Sequence, residues 1–540
     1  MGGGLLQLVA YGAQDIYLTG NPQITFFKVV YRRHTNFAIE TIEQPFIGTV
    51  GFGNRISAKI TRNGDLITRM YLRIILNCVN PNNREFAWVR RVGHAIVNEI
   101  EIDIGGTKID RQYGTWLDIW YELARQGDHE RGYAKMIGDV PILTNYDRCI
   151  KPEYVLYVPL QFWFNRFVGL AIPLIALQYH NTTLNFEIAP VHKLYISDGN
   201  FDVNNLSIND ITLLVNYVYL DTEERRRFAL VGHEYLIQQV QFNGIEPAIM
   251  TPTKYTLDFN HPTIELIWAL RNGNYITRQP FIYYTNRNKW SVEDAAALIV
   301  QESIVIGTNP EGIVPDSVWM EVPAGSATTV GNLNINNQNS QSVFVNPDSL
   351  RIGDYGITSQ IAADVIITDY NEIECNNVVT TLTIRDLSIP VTRMIDTRYD
   401  QQAYDPRIYI FSNYGLLIDG TINPIQTALL QFNGHDRFDI REGKYFNYVQ
   451  PYQHHENTPR DGINVYSFAL YPEQHQPSGT SNLSRIDSSQ LTLTYSDCSD
   501  IDCDEPELDI LHPANELWIF ATNYNILRIY SGLSGLAYAV

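Results

Sequence analysis

The sequence predicts an all-β protein made of antiparallel sheets with one buried face and one wet face. Short segments alternate between apolar and polar residues with a period of two, as half-buried strands do. Helical patterns are few, and aromatic residues, which favour strands, make up 12% of the 540 residues. This combination is typical of antiparallel sandwiches and not of parallel sheets, whose strands are buried on both faces.

The alternation is clearest in four segments, residues 70–76, 99–104, 183–188 and 491–495. In the second of these, Ile100, Ile102 and Ile104 alternate with acidic residues. Side chains of successive strand residues point to opposite faces of a sheet. Each segment is therefore predicted to turn its apolar residues to a core and its polar residues to water.

Two helices are predicted between the strands. The first carries apolar residues at helical spacing, namely Trp116, Ile119, Trp120 and Leu123. Thr115 and Asp118 before and within it are predicted to form a capping pair. The second covers residues 222–229, with Asp221 as N-cap and acidic residues before basic ones, the order that the helix dipole favours.

The two halves of the chain resemble each other in their order of elements. In each half a strand ends at a tight turn, Gly105-Gly106 or Asn433-Gly434, and a short polar segment with aromatic residues follows. Later, each half has an apolar strand, a proline and a strand with clean alternation. The copies lie about 305 to 330 residues apart, and the shared order predicts an internal duplication.

The second half is longer than the first because it contains an insertion at about residues 287–385. The insertion is rich in Gly, Asn, Ser and Pro, and the stretch 331–342 reads GNLNINNQNSQS. Such a composition predicts exposed loops. Residues 365–367 and 382–384 within it are predicted to be short strands.

Composition limits the classes of function. With 39 basic and 59 acidic residues the net charge is −20, which argues against non-specific binding to nucleic acid and favours solubility. The arginine triplet 225–227 follows two glutamates and is predicted to end a solvated helix. Five cysteines, an odd number, favour a reducing compartment over a disulfide framework. The sequence contains no uninterrupted run of about 18 apolar residues, so no membrane span is predicted.

Catalytic and metal-binding spacings are incomplete throughout the sequence. Three His-Glu pairs, at His129, His233 and His455, lack the second histidine that a zinc protease helix carries four residues on. Cys498 and Cys503 form a lone pair, and their acidic surroundings lack the glycine and glutamate of a calcium loop. His454-His455 is predicted to be a surface loop. The sequence therefore predicts no enzyme, cofactor or metal.

Three asparagines stand in glycosylation sequons, namely Asn181, Asn205 and Asn482. Without a secretory signal ordinary N-glycosylation is not favoured, and Asn181 is predicted to begin a buried strand. Aromatic residues at Phe162, Trp163, Phe164, Tyr445 and Phe446 are predicted to be anchors, either in the core or in a contact between chains.

Long, ordered stretches resemble the major capsid proteins of nucleocytoplasmic large DNA viruses, those of algae and amoebae especially. The stretches that carry the resemblance are residues 8–40, 50–67, 169–180, 220–229, 233–242, 259–263, 466–487 and 523–538. They include LVAYGAQDIYLTGNPQITFFKVVYRRHTNFAIE near the start and NYNILRIYSGLSGLAY near the end. The chain departs from the compact members of the family at the insertion.

The resemblance implies a double jelly roll, two eight-stranded antiparallel barrels in tandem. The implied division is an N-terminal arm at 1–24, a first jelly roll at 25–222 and a second at 223–540. It also implies a homotrimer, a pseudo-hexagonal capsomer that tiles an icosahedral shell through lateral contacts between trimers. The implied location is the virion capsid, after synthesis and assembly in the host cytoplasm.

Further partners follow from the same resemblance. They are minor capsid and penton proteins, and the inner viral membrane through the arm, with no direct contact to nucleic acid. The insertion is expected to face outward. The alternative hypothesis is a carbohydrate-binding or glycoside-cleaving β-sandwich protein, because fold alone does not fix function.

Overall fold

The computed structural model describes residues 10, 12–19, 21, 33–82, 86–125, 129–144, 150–197, 201–248, 251–271, 327–330, 333–336, 343–345, 380–382, 423–496 and 513–538. Strands predominate in these residues, as the alternation predicts. They form two sandwiches, each built from two antiparallel sheets.

The first sandwich uses residues of the first half of the chain. Its strands are β1 (Phe37–Pro45), β2 (Arg55–Lys59), β3 (Leu66–Leu76), β4 (Phe86–Trp88), β5 (Val97–Ile104), β6 (Thr107–Tyr113), β7 (Tyr154–Pro159), β8 (Ile172–Pro173), β9 (Thr182–Ile188), β10 (Tyr195–Ser197) and β11 (Ile208–Leu220). One sheet has the order β1-β11-β3-β7, with β8 beside β3. The facing sheet has the order β2-β9-β5-β6, and β4 pairs with β10.

The second sandwich uses the second half. The strands of this half are β12 (His233–Phe242), β13 (Glu246–Pro247), β14 (Thr253–Thr256), β15 (Pro262–Arg271), β16 (Ala327–Val330), β17 (Leu333–Asn336), β18 (Val343–Val345), β19 (Thr380–Leu382), β20 (Ile425–Phe432), β21 (His435–Asp436), β22 (Arg441–Glu442), β23 (Ile463–Ser467), β24 (Ser481–Asn482), β25 (Ser489–Tyr495), β26 (Glu516–Tyr530) and β27 (Leu533–Leu536). Strands β16 to β19 belong to the insertion and form two sheets apart from the sandwich sheets. The sandwich sheets have the orders β12-β26-β15-β23 and β14-β25-β20-β21.

The two sandwiches share one topology. Strands β1, β11, β3 and β7 of one sheet correspond to β12, β26, β15 and β23. Each strand of a pair has the same position in its sheet and the same place in the chain order of its half. The facing sheets, β2-β9-β5-β6 and β14-β25-β20-β21, correspond in the same way. This arrangement confirms the internal duplication that the order of elements predicts.

Each sandwich encloses its own apolar core. The predicted alternation is realised in β9 and β25, whose residues are buried and half-buried in turn from end to end. The first core contains Leu72 and Phe186, and the second contains Trp268 and Leu493. Strand β15 differs, since nine of its ten residues are buried and neither of its faces meets water.

The helices are short and lie between strands. They are α1 (Ile16–Thr19), α2 (Val92–Ala95), α3 (Gly114–Ala124), α4 (Glu130–Ile137), α5 (Pro141–Thr144), α6 (Trp163–Arg166), α7 (Thr222–Leu230) and α8 (Gln450–His454), the last preceded by a π-helix (Tyr445–Val449). In the described residues, 3-10 helices cover Val168–Leu170, Val191–Lys193, Val203–Asn205 and Leu483–Arg485. No helix in the described part of the chain is long and apolar enough to cross a membrane.

Both predicted helices are present, as α3 and α7. The Asp221 carboxylate accepts the backbone N–H of Thr222 at 2.8 Å, so the predicted N-cap of α7 is confirmed. The capping pair predicted for α3 is wrong. The N-cap position is Tyr113, with no side-chain cap, and Asp118 is instead drawn into an ion pair with Arg91.

Only four short strands of the insertion lie within the described residues. They pair as two antiparallel ladders, β16 with β17 and β18 with β19. Strand β17 falls within the stretch 331–342, for which the composition predicts exposed loops. Predicted strand 365–367 lies outside the described residues, and predicted strand 382–384 overlaps β19 only at Leu382.

Candidate assembly surfaces and the junction between the sandwiches

Helix α3 joins the two sandwiches. Its apolar residues Trp116, Ile119, Trp120 and Leu123 form one cluster with residues of the second sandwich. The residues they pack against lie on the outer face of the β12-β26-β15-β23 sheet and are Val240, Ile267, Ala269, Ile463, Val465 and Phe520. This cover explains why β15 is buried on both faces.

The opposite side of α3 holds a buried ionic cluster. The guanidinium of Arg91 lies 2.7 Å from Asp118 and 2.5 Å from Glu122, and all three side chains are buried. Arg460, from the second sandwich, lies 3.4 Å from Glu122. Burial raises the pKa of Glu122, but the charges of Arg91, Arg460 and Arg125 together outweigh burial and hold that pKa below its ordinary value.

The Arg91 backbone is part of the same arrangement. Arg91 adopts a left-handed conformation, with φ of 52° and ψ of 43°, immediately before α2. Such a conformation is uncommon for a residue with a side chain. Nearby, Arg90 donates to both oxygens of Asp139, at 2.7 and 2.9 Å. Two adjacent arginines thereby pair with three carboxylates, two on α3 and one in the turn between α4 and α5.

A second polar cluster lies between the sandwiches. The imidazole of His455 contacts Glu265 at 3.0 Å through Nε2 and Glu473 at 2.7 Å through Nδ1. Burial lowers the pKa of His455, but the two carboxylates outweigh burial and raise it to about 9. The prediction that His454-His455 forms a surface loop is therefore wrong for His455, whose side chain is fully buried.

Hydrogen bonds also cross the junction. The Val240 N–H donates to the carboxylate of Asp110 at 3.0 Å, and the Tyr179 N–H donates to the Gly532 carbonyl at 3.0 Å. Burial raises the pKa of Asp110 to about 7. The guanidinium of Arg166 stacks over the Trp120 ring at 4.6 Å. The sandwiches are thus held together by an apolar contact with hydrogen bonds around it.

The structure places the predicted aromatic anchors mainly in the cores. Phe162, Trp163 and Phe164, at the start of α6, belong to the first core. Phe446 belongs to the second core, and Tyr445 is half-buried against it. Of these five residues, Tyr445 alone keeps a partly exposed side chain for a partner. The surface residues that a partner could reach lie elsewhere.

The three sequon asparagines are exposed. Asn205 ends a 3-10 helix, and the side chain of Asn482 accepts the Ser484 N–H at 3.1 Å. Asn181 is exposed just before β9, which begins at Thr182, so the prediction that it starts a buried strand is wrong. Glycosylation at these positions stays a prediction.

The described residues contain no group of three or more His, Cys, Asp or Glu side chains that could hold a metal ion. Cys498, Cys503 and the acidic stretch around them lie outside the described part of the chain. Cys78 is a free, exposed thiol.

An exposed aromatic stripe, which the sequence patterns did not single out, lies on the π-helix and α8. Tyr448, Val449 and Tyr452 point to solvent on one side, with Leu470 and Tyr471 also exposed nearby in the chain's fold. His454 Nδ1 contacts the Leu470 carbonyl at 3.1 Å, which brings the two segments together. Tyr448, Val449 and Tyr452 stand at positions i, i+1 and i+4, a spacing that places side chains on one side of a helix. This pattern could have identified them in the sequence.

Two family models match successive parts of the chain. One describes the N-terminus of a major capsid protein and matches residues 25–221. The other describes the major capsid protein of large eukaryotic DNA viruses and matches residues 224–535.

Named relatives agree with these matches. The chain is 42% identical over 614 residues to capsid protein 1 of Acanthamoeba polyphaga mimivirus, and 36% identical over 555 residues to the major capsid protein of Paramecium bursaria Chlorella virus 1. Each comparison covers 100% of both proteins.

Solved structures agree in fold. A chain of the quasi-atomic model of the PBCV-1 virus capsid is 30% identical, with a TM-score of 0.61 over 96% of this chain and 100% of that chain. The Faustovirus major capsid protein, 13% identical with a TM-score of 0.58, covers 96% of this chain and 94% of its own and supports the fold alone. The tandem sandwiches are a double jelly roll, as the resemblance implied. The matching family model and the relatives at 42% and 36% identity favour a capsid role over sugar binding.

Proposed function

The chain belongs to the major capsid proteins of large eukaryotic DNA viruses, and from this premise we propose that three copies close into the trimeric building block of an icosahedral shell. A structural role in the virion capsid, through association with copies of itself, follows from the family. The trimer, its pseudo-hexagonal outline and the way it tiles are the proposal.

The shared topology of the two sandwiches is the observation that carries this proposal. One chain supplies two similar sandwiches, already packed side by side through α3. Three chains around one axis then place six similar sandwiches in a ring. A threefold ring with nearly sixfold outline fills a plane, and a cyclic arrangement closes on itself without free ends.

The remaining parts of the chain receive roles in the same proposal. We place the N-terminal arm, residues 1–24, under the capsomer, toward minor capsid proteins or the inner membrane. The insertion at about 287–385 faces outward, and penton proteins complete the shell at its vertices. Assembly takes place in the host cytoplasm, and the net charge of −20 keeps the unassembled chains soluble and away from the genome.

The proposed role is structural rather than catalytic. Histidines and carboxylates that could have served chemistry are engaged in buried ion pairs, as His455 is with Glu265 and Glu473 of the same sandwich. The division of the chain at residues 24 and 222 is part of this proposal and agrees with the two sandwiches in the described residues.

The purified chain is expected to behave as a trimer in solution. Light scattering should give three times the 61.8 kDa chain mass, because a ring contact buried in the working state favours the associated form. Heating should then abolish association and β-structure in one transition. A chain that stays monomeric up to millimolar concentration, and forms no shells, would contradict the proposed function.

Deletion of residues 2–20 is expected to leave soluble trimers but to impair shell assembly. The deleted residues precede β1, and those of them that the structure describes, 10 and 12–19, belong to neither sandwich core. Trimer mass by light scattering and particle yield by electron microscopy give the two readouts. Normal particles from the deleted chain would refute the role of the arm and leave the trimer intact.

A further inference from the structure

The helical segment 445–454, made of the π-helix and α8, occupies the same place in the second sandwich as α3 does in the first. Gly114 begins α3, and an added Cβ there would collide with the Val97 carbonyl. Gly443 precedes the segment 445–454, and an added Cβ there would collide with the Ile425 carbonyl. Val97 and Ile425 begin the equivalent strands β5 and β20. The two glycines therefore mark one position of the repeat.

Aligning the two glycines pairs the residues that follow. Leu117 pairs with Phe446, and each is buried in the core of its own sandwich. The next pair, Asp118 and Asn447, consists of fully buried polar residues. The alignment thus preserves the inward side of both helical segments.

The outward sides correspond as well. Ile119, Trp120 and Leu123, which contact the second sandwich, align with Tyr448, Val449 and Tyr452. In the single chain these last three side chains are 37%, 39% and 83% exposed. An apolar and aromatic stripe that is covered in one half of the repeat is therefore exposed in the other.

The face that receives α3 also has a counterpart. The β15–β26 ladder shifts register between Thr263 and Glu265, and the β3–β11 ladder shifts between Val215 and Tyr217. Matching the two shifts aligns Leu266 with Met70, both of which point into their own cores.

This alignment defines a receiving face on the first sandwich. The six residues under α3, in the order Val240, Ile267, Ala269, Ile463, Val465 and Phe520, correspond through the strand registers to Thr41, Tyr71, Arg73, Tyr157, Pro159 and Leu214. Within the described part of the chain Tyr157 is 37% exposed, Thr41 is exposed and the other four are half-buried. The second sandwich buries the corresponding residues under α3.

We propose that the segment 445–454 of one copy docks on the receiving face of a second copy, repeating between chains the contact that α3 makes within one chain. This inference rests on the proposed trimer and names its surfaces. The contact joins two different surfaces, so it is heterologous, and a heterologous contact must close into a ring or grow without end. Alternating it with the internal contact three times gives a ring of six sandwiches.

The chemistry of the two surfaces fits association between folded chains. On the helical segment, Tyr445 stands where α3 has Trp116, and Tyr452 stands where α3 has Leu123. On the receiving face, Arg73 stands where the second sandwich has Ala269. Such a contact combines apolar area with polar groups that water can satisfy before association. Aromatic residues and arginine are enriched in interfaces of this kind.

Tyr452→Glu tests the donor surface. Tyr452 is mostly exposed in the single chain, so the variant is expected to fold, while a charge buried against the receiving face should raise the dissociation constant about 100-fold or more. Light scattering across a dilution series measures the change. The matched control is Tyr538→Glu, at a similarly exposed tyrosine outside both surfaces, which is expected to remain trimeric.

Tyr157→Glu tests the receiving face and should dissociate the trimer in the same way. If wild type is trimeric and both variants remain so, the surfaces are wrong and the proposed function stands. If wild type is itself monomeric and forms no shell, the proposed function fails instead. Hydrogen exchange on wild type is independent of folding of the variants: residues 448–453 and 155–159 should gain protection on trimerisation, and equal exchange in both states would overturn the inference.

Discussion

Replacing Arg91 by Ala is expected to lower the free energy of unfolding by about 3–5 kcal/mol, the cost of removing one partner from a buried ion pair. The change leaves Asp118 and Glu122 buried beside each other without the guanidinium that lies 2.7 and 2.5 Å from them. Both side chains are almost fully out of water, so solvent cannot replace the lost charge. Helix α3, which carries both carboxylates, should loosen from the second sandwich as a result.

Urea unfolding at one fixed protein concentration measures this effect. The matched control is Arg528→Ala, which removes an arginine from an ion pair of 2.9 Å with Glu234 whose two side chains are about half exposed. Exposed pairs contribute about 0–1 kcal/mol, so this variant should unfold nearly as wild type does. Equal destabilisation by the two substitutions would show that the buried cluster has no special role in stability.

Much of the fold could be predicted because local sequence patterns indicate its strands and helices. Alternation marks strands such as β9 and β25, and the stripe at Trp116 and Leu123 marks α3. The repeat was visible because equivalent turns and strands recur in the same order. These signals depend only on neighbours in sequence, which is why they survive without knowledge of the tertiary structure.

The junction between the sandwiches could not be predicted in the same way. Arg91, Glu122 and His455 are charged residues, and in sequence such residues indicate surface positions. Their burial depends on partners far along the chain, as when His455 meets Glu265. The capping pair at Thr115 and Asp118 also failed, because α3 begins at Gly114, one residue before Thr115, and Asp118 pairs with Arg91.

The aromatic anchors show where periodicity stops being informative. Phe162, Trp163 and Phe164 are consecutive, so no period separates a core position from an interface position. The structure places all three in the core. Tyr448 and Tyr452 form the stripe exposed at the surface, and only the comparison with α3 gives that stripe a partner.

The ion pairs of His455 with Glu265 and Glu473 make the stability of the chain dependent on pH. The pKa of His455 is raised from its ordinary value near 6.5 to about 9 in the folded chain. A group whose pKa is raised by folding stabilises the fold fully below its unfolded pKa and loses that contribution as pH rises through the folded pKa. The window is therefore pH 6.5 to 9, and stability should fall across it by about 3 kcal/mol.

Other charged groups face the same site, so the test needs a variant that removes only the titration of His455. Arg166 interacts with both Glu265 and Glu473, and His475 lies near Arg166, with its pKa lowered by burial.

Replacing His455 by Gln removes the titrating group but retains a side chain that can donate a hydrogen bond. Urea unfolding of this variant between pH 6 and 10 should show a flatter profile than wild type and lower stability at pH 6. His435→Gln, at an exposed position on β21, should leave the profile unchanged. A wild-type curve that stays level from pH 6.5 to 9 would mean that His455 is not held as a cation between its two carboxylates.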